Sequence, residues 1–412
     1  MKLFRINNEI YTCSASEQNL FKTTLIALLL GLIYPIINDG SFLSMLISLL
    51  STMLSLLAIY MFYSIASRPK QSGSVSFFVV VAVYMFLLGL LGGGFSVDKT
   101  HLMMVITNDL RYVSLFWLGG LFASSTKYMA MYHKLVIATA KWAVALSIVG
   151  LIIWAGRGFA IMRDANETSL LYHIAWASSV CVAYSGYYGL LNKDNKWLFV
   201  SILVFFFVLH IAFLKRSAFV NVILILTLSV YFMSSMGRTN RSFGNVALFI
   251  LVLVAVSVFI VGSNPISSAL FSRFSDAAED FDNFDRIIEW QVYQDNTTTF
   301  DRLRGFGIGK YLFYDRYGTG REETILNALH LGYANIIYKG GLLYALFYIV
   351  TYIKIFASWF RNRKRLTPLY IVCFGVSISA LISLLYEGSW TYTISPFFIA
   401  APIFYAAEYS GK

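Results

Sequence analysis

The sequence predicts an all-α polytopic membrane protein, with about twelve transmembrane helices and a mostly helical cap on the outer face. Three observations predict it. Of 412 residues, 58% are hydrophobic and only 13% charged, against roughly 45–50% apolar and about 25% charged in soluble domains. Mean hydropathy is +0.68. So few charges cannot cover a water-facing surface, which excludes a cytosolic enzyme, a disordered chain and a secreted disulfide scaffold. Apolar runs near the length that crosses a hydrocarbon core of about 30 Å recur along the chain. Lysine and arginine gather in alternate short connections, the pattern that orients membrane helices.

In chain order the runs are 20–38, 41–63, 75–95, 103–125, 135–155, 170–191, 197–214, 218–236, 245–262, 331–356, 368–386 and 391–408. One set of connections holds Arg68 and Lys70; Lys127 and Lys134; Lys193 and Lys196; Arg238 and Arg241; and Arg361, Arg363, Lys364 and Arg365. That side is cytoplasmic by the positive-inside rule, together with both termini. The net charge of +11 is therefore an orientation signal and does not imply nucleic acid. Cys13, Cys181 and Cys373 form neither a disulfide framework nor a zinc-ligand spacing, and no metal site is apparent.

The organisation is then 1–262 for helices one to nine, 263–330 for an outer connection, and 331–412 for helices ten to twelve. Residues 263–330 hold eleven of the 21 acidic residues, seven basic ones and many aromatics. Loops this long are functional or disordered, and the aromatic content argues against disorder. Phe271, Phe274, Phe281, Phe284, Ile287, Ile288 and Val292 recur mostly at three- to four-residue spacing, which predicts an amphipathic helix.

Several residues could carry chemistry. His330, where the connection meets the tenth run, can accept a proton or donate a hydrogen bond; an interfacial histidine is the plain alternative. Lys215 and Arg216 fill a tight outer turn at headgroup level, where a phosphate would lie. Snorkelling to anionic headgroups would equally explain them. Arg286, Glu289, Trp290 and Tyr293 fall on one helix face, mixing a cation, a carboxylate and aromatics; a solvated, salt-bridged face is the ordinary alternative. Lys339 lies well inside a span, a placement costing roughly 2.5–3.5 kcal/mol on insertion scales, so a polar cavity or partner is expected. Asp109 and Arg111 also fall inside a run, neutralised by each other or by neighbouring helices. Gly332, Gly340 and Gly341 would let another helix approach closely. Gly305-Phe-Gly307-Ile-Gly309-Lys310 is no nucleotide loop, because Arg304 stands at the first glycine position and Tyr311 follows the lysine. It reads as a tight turn returning the cap to the bilayer.

Taken in order, these residues resemble the O-antigen polymerase and O-antigen ligase superfamily of bacterial membrane glycosyltransferases. The family's outer loop runs Arg-x-x-x-Trp, Gly-x-Gly-x-Gly, His-Asn, then Gly-x-x-Gly in the following span. Here Arg286…Trp290, Gly305-Phe-Gly307-Ile-Gly309, His330 and Gly341-Leu-Leu-Tyr344 stand in that order. Leu214-Lys215-Arg216-Ser217-Ala218 resembles the family's basic turn, and Leu331 replaces the asparagine after the histidine.

The resemblance implies a GT-C-like fold in the bacterial inner membrane, no cofactor, and undecaprenyl-diphosphate-linked oligosaccharides as substrates. A chain-length regulator and a flippase are the protein partners it brings into view. In such chemistry Arg216 and Arg286, with Lys215, would hold the leaving diphosphate. His330 would orient or deprotonate the acceptor hydroxyl, and Glu289, Trp290, Tyr293 and Lys339 would contact substrate. The expectation is a polymerase that joins lipid-linked repeat units. A ligase transferring glycan to lipid A core is second, and a lipid-linked sugar transporter a distant third.

Overall fold

A computed structural model describes residues 2–6, 9–33, 42–65, 73–91, 99–156, 285–308, 312–314, 324–326, 332–363, 366–384 and 395–409. The runs at 170–191, 197–214, 218–236 and 245–262 lie outside the described residues, as do Lys215, Arg216 and His330. The described chain is mostly helical. Its helices are α1 (Ala15–Ile33), α2 (Phe42–Ile65), α3 (Gly73–Leu91), α4 (Lys99–Phe122), α5 (Thr126–Gly156), α6 (Asp285–Asp295), α7 (Thr299–Arg304), α8 (Gly332–Asn362), α9 (Pro368–Ser383) and α10 (Ser395–Glu408). Two antiparallel pairs accompany them: β1 (Lys2–Ile6) with β2 (Glu9–Thr12), and β3 (Leu312–Tyr314) with β4 (Thr324–Leu326).

Three of the helices, within Met45–Ile65, Gly73–Leu90 and Gly332–Asn362, are long and apolar enough to cross a membrane. Their outward rows are apolar: Leu342, Leu346, Ile349 and Ile353 of α8 are all exposed. A patch of that kind is an aggregation hazard in water and an ordinary surface in lipid. Where lipid is as apolar as the core, helices associate through close packing and polar links. Four phenylalanines supply the packing, one each from α3, α4, α8 and α10. Phe78 and Phe116 lie 4.5 Å apart, Phe116 and Phe404 5.5 Å, Phe78 and Phe347 5.5 Å, and Phe347 and Phe404 6.0 Å between ring centroids. Each such pair contributes about 0.5–1.5 kcal/mol beyond its burial. Polar links tie the same bundle: Ser51 donates to the Ala27 carbonyl at 2.9 Å, and Tyr352 to that of Ser377 at 2.9 Å.

α1 begins on a capping box. Ser14 N–H donates to Glu17 Oε2 at 2.9 Å, and Glu17 N–H to Ser14 Oγ at 3.2 Å, satisfying two donors that the helix start would otherwise leave open. The other Glu17 oxygen takes Lys127 Nζ of α5 at 2.6 Å. A second knot gathers the end of α8, the start of α3 and the end of α10. Lys354 Nζ reaches Glu408 Oε1 at 3.3 Å and Ser74 Oγ at 3.1 Å, while Ser74 Oγ donates to Glu408 at 2.7 Å.

α10 lies inside the bundle, buried from Pro396 to Ala407 except for half-buried Tyr405. A helix apolar on every side belongs inside a bundle. Gly119 and Gly120 of α4 admit it: a Cβ on Gly119 would stand 2.5 Å from the Phe397 oxygen.

Candidate functional site

The site forms where α8 breaks. Gly341 takes φ 56°, ψ −147°, outside helical geometry and in a region that favours glycine. The break leaves the carbonyls of Tyr338 and Lys339 to find donors beyond the helix, and they come from the turn after α7. Phe306 N–H donates to Tyr338 O at 2.9 Å and Gly307 N–H to Lys339 O at 2.8 Å. Ile308 N–H donates to Met85 O of α3 at 3.0 Å, so the turn is wedged between two long helices. Its glycines are required by contact. A Cβ on Gly305 would stand 2.4 Å from Gly341 N, and one on Gly307 2.4 Å from Gly89 N. The approach that Gly340 and Gly341 were expected to offer another helix is taken at Gly341 by this turn, whose Leu303 oxygen would lie 2.2 Å from a Gly341 Cβ.

Below the turn lies a cavity of about 30 Å³, room for about two waters. Ile308 roofs it, and Asp109, Lys339, Asn335, Tyr112, Tyr344 and Tyr348 line it. Lys339 Nζ donates to Asp109 Oδ2 at 2.8 Å, with both side chains 7% exposed. The partner that Lys339 was expected to need is thus Asp109 of α4. Beside them Tyr112 and Tyr344 share a hydrogen bond of 2.6 Å between hydroxyls, and Tyr348 lies 3.4 Å from Tyr112. Arg111 turns elsewhere, its Nη1 donating to Ser48 Oγ at 3.3 Å.

α6 lies beside the turn. Tyr293 is fully buried against Tyr338 and Phe306, at 5.5 and 6.2 Å between ring centroids, and half-buried Trp290 stands 5.4 Å from it. Burial pushes the Tyr293 phenol up to about 12, with Arg302 lowering it and Asp301 raising it. Its hydroxyl has no hydrogen-bond partner among the described residues. Glu289 is 2% exposed, so this part of the α6 face is not the solvated surface that charged residues at helical spacing ordinarily form. Arg286 sits in the first turn of α6. α7 closes the arrangement with its own capping box between Thr298 and Asp301, and Asp301 also holds Arg304 at 3.2 Å.

Of the residues singled out in the sequence, Trp290, Tyr293 and the backbone of Lys339 therefore meet around Phe306. Sequence reasoning gave Asp109 no role, passed over Asn335, Tyr112 and Tyr348, and noted Tyr344 only as a position of the Gly341-Leu-Leu-Tyr344 element. Opposite charges inside two separate apolar runs were a readable signal for the ion pair. Tyr344, Tyr348 and Tyr352, at four-residue steps on one helix, were another. Among the described residues no group of three or more His, Cys, Asp or Glu could hold a metal ion.

Compared with known proteins, the chain matches no protein-family model and no curated protein. Fold and site together define a class only: a helical membrane protein with a buried ion pair beneath an inserted glycine turn.

Proposed function

We propose that the protein is a polymerase joining undecaprenyl-diphosphate-linked oligosaccharide repeat units at the outer face of a bacterial inner membrane, built on about twelve spans with residues 263–330 as an outer cap. One observation carries the reading. Three sequence elements behind the resemblance are linked by one chain of contacts: Trp290 of α6 lies against Tyr293, Tyr293 and Tyr338 meet Phe306 of the glycine turn, and Gly305 of that turn abuts Gly341 of α8. Elements 15 to 51 positions apart in the chain that are joined by one run of contacts fit a common task better than unrelated loops would.

In the reaction, a sugar hydroxyl of one lipid-linked unit attacks the anomeric carbon of another. The bond from that carbon to the diphosphate breaks, and the diphosphate leaves with the electron pair. Arg216 and Arg286, with Lys215, stabilise its charge, which is the larger need for so good a leaving group. His330 takes the hydroxyl proton. Glu289, Trp290, Tyr293 and Lys339 hold the sugars, Lys339 poised by Asp109.

The test is a surface-polysaccharide gel from a host lacking the chain, beside hosts carrying Arg216→Ala or His330→Ala. Loss of the ladder with a single repeat left on the lipid core supports the polymerase. Polymer held on undecaprenyl diphosphate over a bare core makes the protein a ligase. An unchanged ladder overturns both and favours a transporter, for which the ion pair inside the spans speaks.

A further inference from the structure

We infer that Thr299–Ile308 is a re-entrant element, entering the leaflet nearest the 263–330 segment and presenting Phe300 and Leu303 to phospholipid acyl chains. The inference holds whatever reaction the protein performs, and three observations carry it.

Depth is the first. The Lys354, Ser74 and Glu408 knot marks one polar boundary of the bundle. Tyr84 follows Ser74 by ten positions and Met85 by eleven, about 15–17 Å along α3. Leu342 precedes Lys354 by twelve, about 18 Å along α8. Those are the levels at which the segment docks: Tyr84 Oη donates to Arg304 O at 2.8 Å, Ile308 bonds Met85, and Leu303 abuts Gly341. They fall short of the far edge of a core of about 30 Å.

Backbone satisfaction is the second. Non-helical backbone survives at membrane depth only when protein supplies its hydrogen bonds. Four consecutive N–H groups are supplied here, Gly305 to Asp301 O at 2.7 Å and Phe306, Gly307 and Ile308 to α8 and α3. A surface turn needs no such completeness, since water would serve.

The third is the apolar face itself. Phe300 is 67% and Leu303 53% exposed, and the Leu303 backbone abuts Gly341, the neighbour in sequence of Leu342, which is 60% exposed. On the other side, Tyr84 stands between exposed Val80, Val83 and Leu87 of α3. Arg304, its guanidinium 5.5 Å from the Phe300 ring, can snorkel to the headgroups.

Nitroxide labels test the placement. In full-length protein with Cys13, Cys181 and Cys373 changed to alanine, labels at Phe300→Cys and Leu303→Cys are read in phosphatidylcholine liposomes. Leu346→Cys and Gln294→Cys serve as lipid and water controls. Collision with oxygen should exceed collision with a water-soluble nickel chelate at 300, 303 and 346, and the order should reverse at 294, a several-fold swing in the ratio. Nickel-dominated relaxation at 300 and 303 would put the segment in water, and protection from both reagents would put protein over it; either overturns the inference. If the cysteine-free protein does not fold, benzoylphenylalanine at 300 in the natural chain decides. A lipid adduct after irradiation sustains the inference, and its absence defeats it.

Discussion

The Asp109–Lys339 pair permits a prediction with a worked magnitude. Both groups are nearly out of reach of solvent at 7% exposure, and their contact is 2.8 Å. Changing Lys339 alone to methionine keeps the volume but removes the counter-charge of a buried carboxylate; changing Asp109 alone to leucine removes that of a buried ammonium. Breaking a buried pair from one side costs about 3–5 kcal/mol, whereas replacing both partners with apolar residues is neutral or stabilising. Unfolding entropy of about 2.1 cal/mol/K per residue, over 412 residues, comes to about 0.9 kcal/mol/K if the chain melts as one unit. Each single change should therefore lower the melting midpoint by about 3–6 °C. The double variant should return to within about 2 °C of the natural protein. Thermal unfolding followed by tryptophan fluorescence in detergent micelles measures all four proteins. Single variants that melt with the parent, or a double variant whose loss is the sum of the singles, would refute the reasoning.

Other outcomes follow from the same contacts. Gly307→Ala, at φ 79° with Gly89 N 2.4 Å and Met85 O 2.5 Å from the new Cβ, should cost about 2–5 kcal/mol from strain and overpacking. It should also open the 303–308 turn to limited proteolysis. Gly73→Ala, whose Cβ among the described residues would meet only Lys354 Nζ at 3.7 Å, should leave the digestion pattern unchanged. Tyr293→Phe removes a buried hydroxyl and should be neutral or stabilising by up to about 1 kcal/mol; Tyr293→Ala should cost about 3–5 kcal/mol, and midpoint shifts in opposite directions are the check. Burial raises the Glu17 carboxyl, but hydrogen bonds and charge from Lys127 and bonds from Ser14 outweigh it, so its pKa is lowered from 4.5. A depressed folded pKa gives stability that is complete above 4.5 and fades as pH falls through the folded value. Melting profiles of Glu17→Gln and the natural protein should converge in acid and separate by about 1 kcal/mol near neutrality.

The helices were legible because their signal is local. An apolar run declares itself whatever its partners, and eight of the twelve runs coincide with α1 to α5, α8, α9 and α10. What escaped depends on contacts between distant residues. Nothing near Gly341 announces a break, since Gly340-Gly341 reads as a helix-packing surface; the donors that stabilise it sit at Phe306 and Gly307. The β1–β2 pair was missed, although Asn7-Asn8 between two short runs of strand formers is the composition of a two-residue hairpin turn. Of the candidate site, the charges were visible one by one. Their pairing was not, because Asp109 and Lys339 are 230 residues apart.

The place of α10 bears on how the bundle is made. Its partners, α3, α4, α5, α8 and α9, all precede it from the ribosome. Until it is made, Phe78, Phe116 and Phe347 line a gap, and Gly119 and Gly120 face nothing of their own shape. Assembly must therefore seat α10 last, against helices already made. A chain halted after Ser383 would carry the apparatus around Lys339 complete in sequence yet lack the piece against which its helices close. Damage to α10, none of whose residues lines the cavity, should for that reason resemble loss of the whole protein.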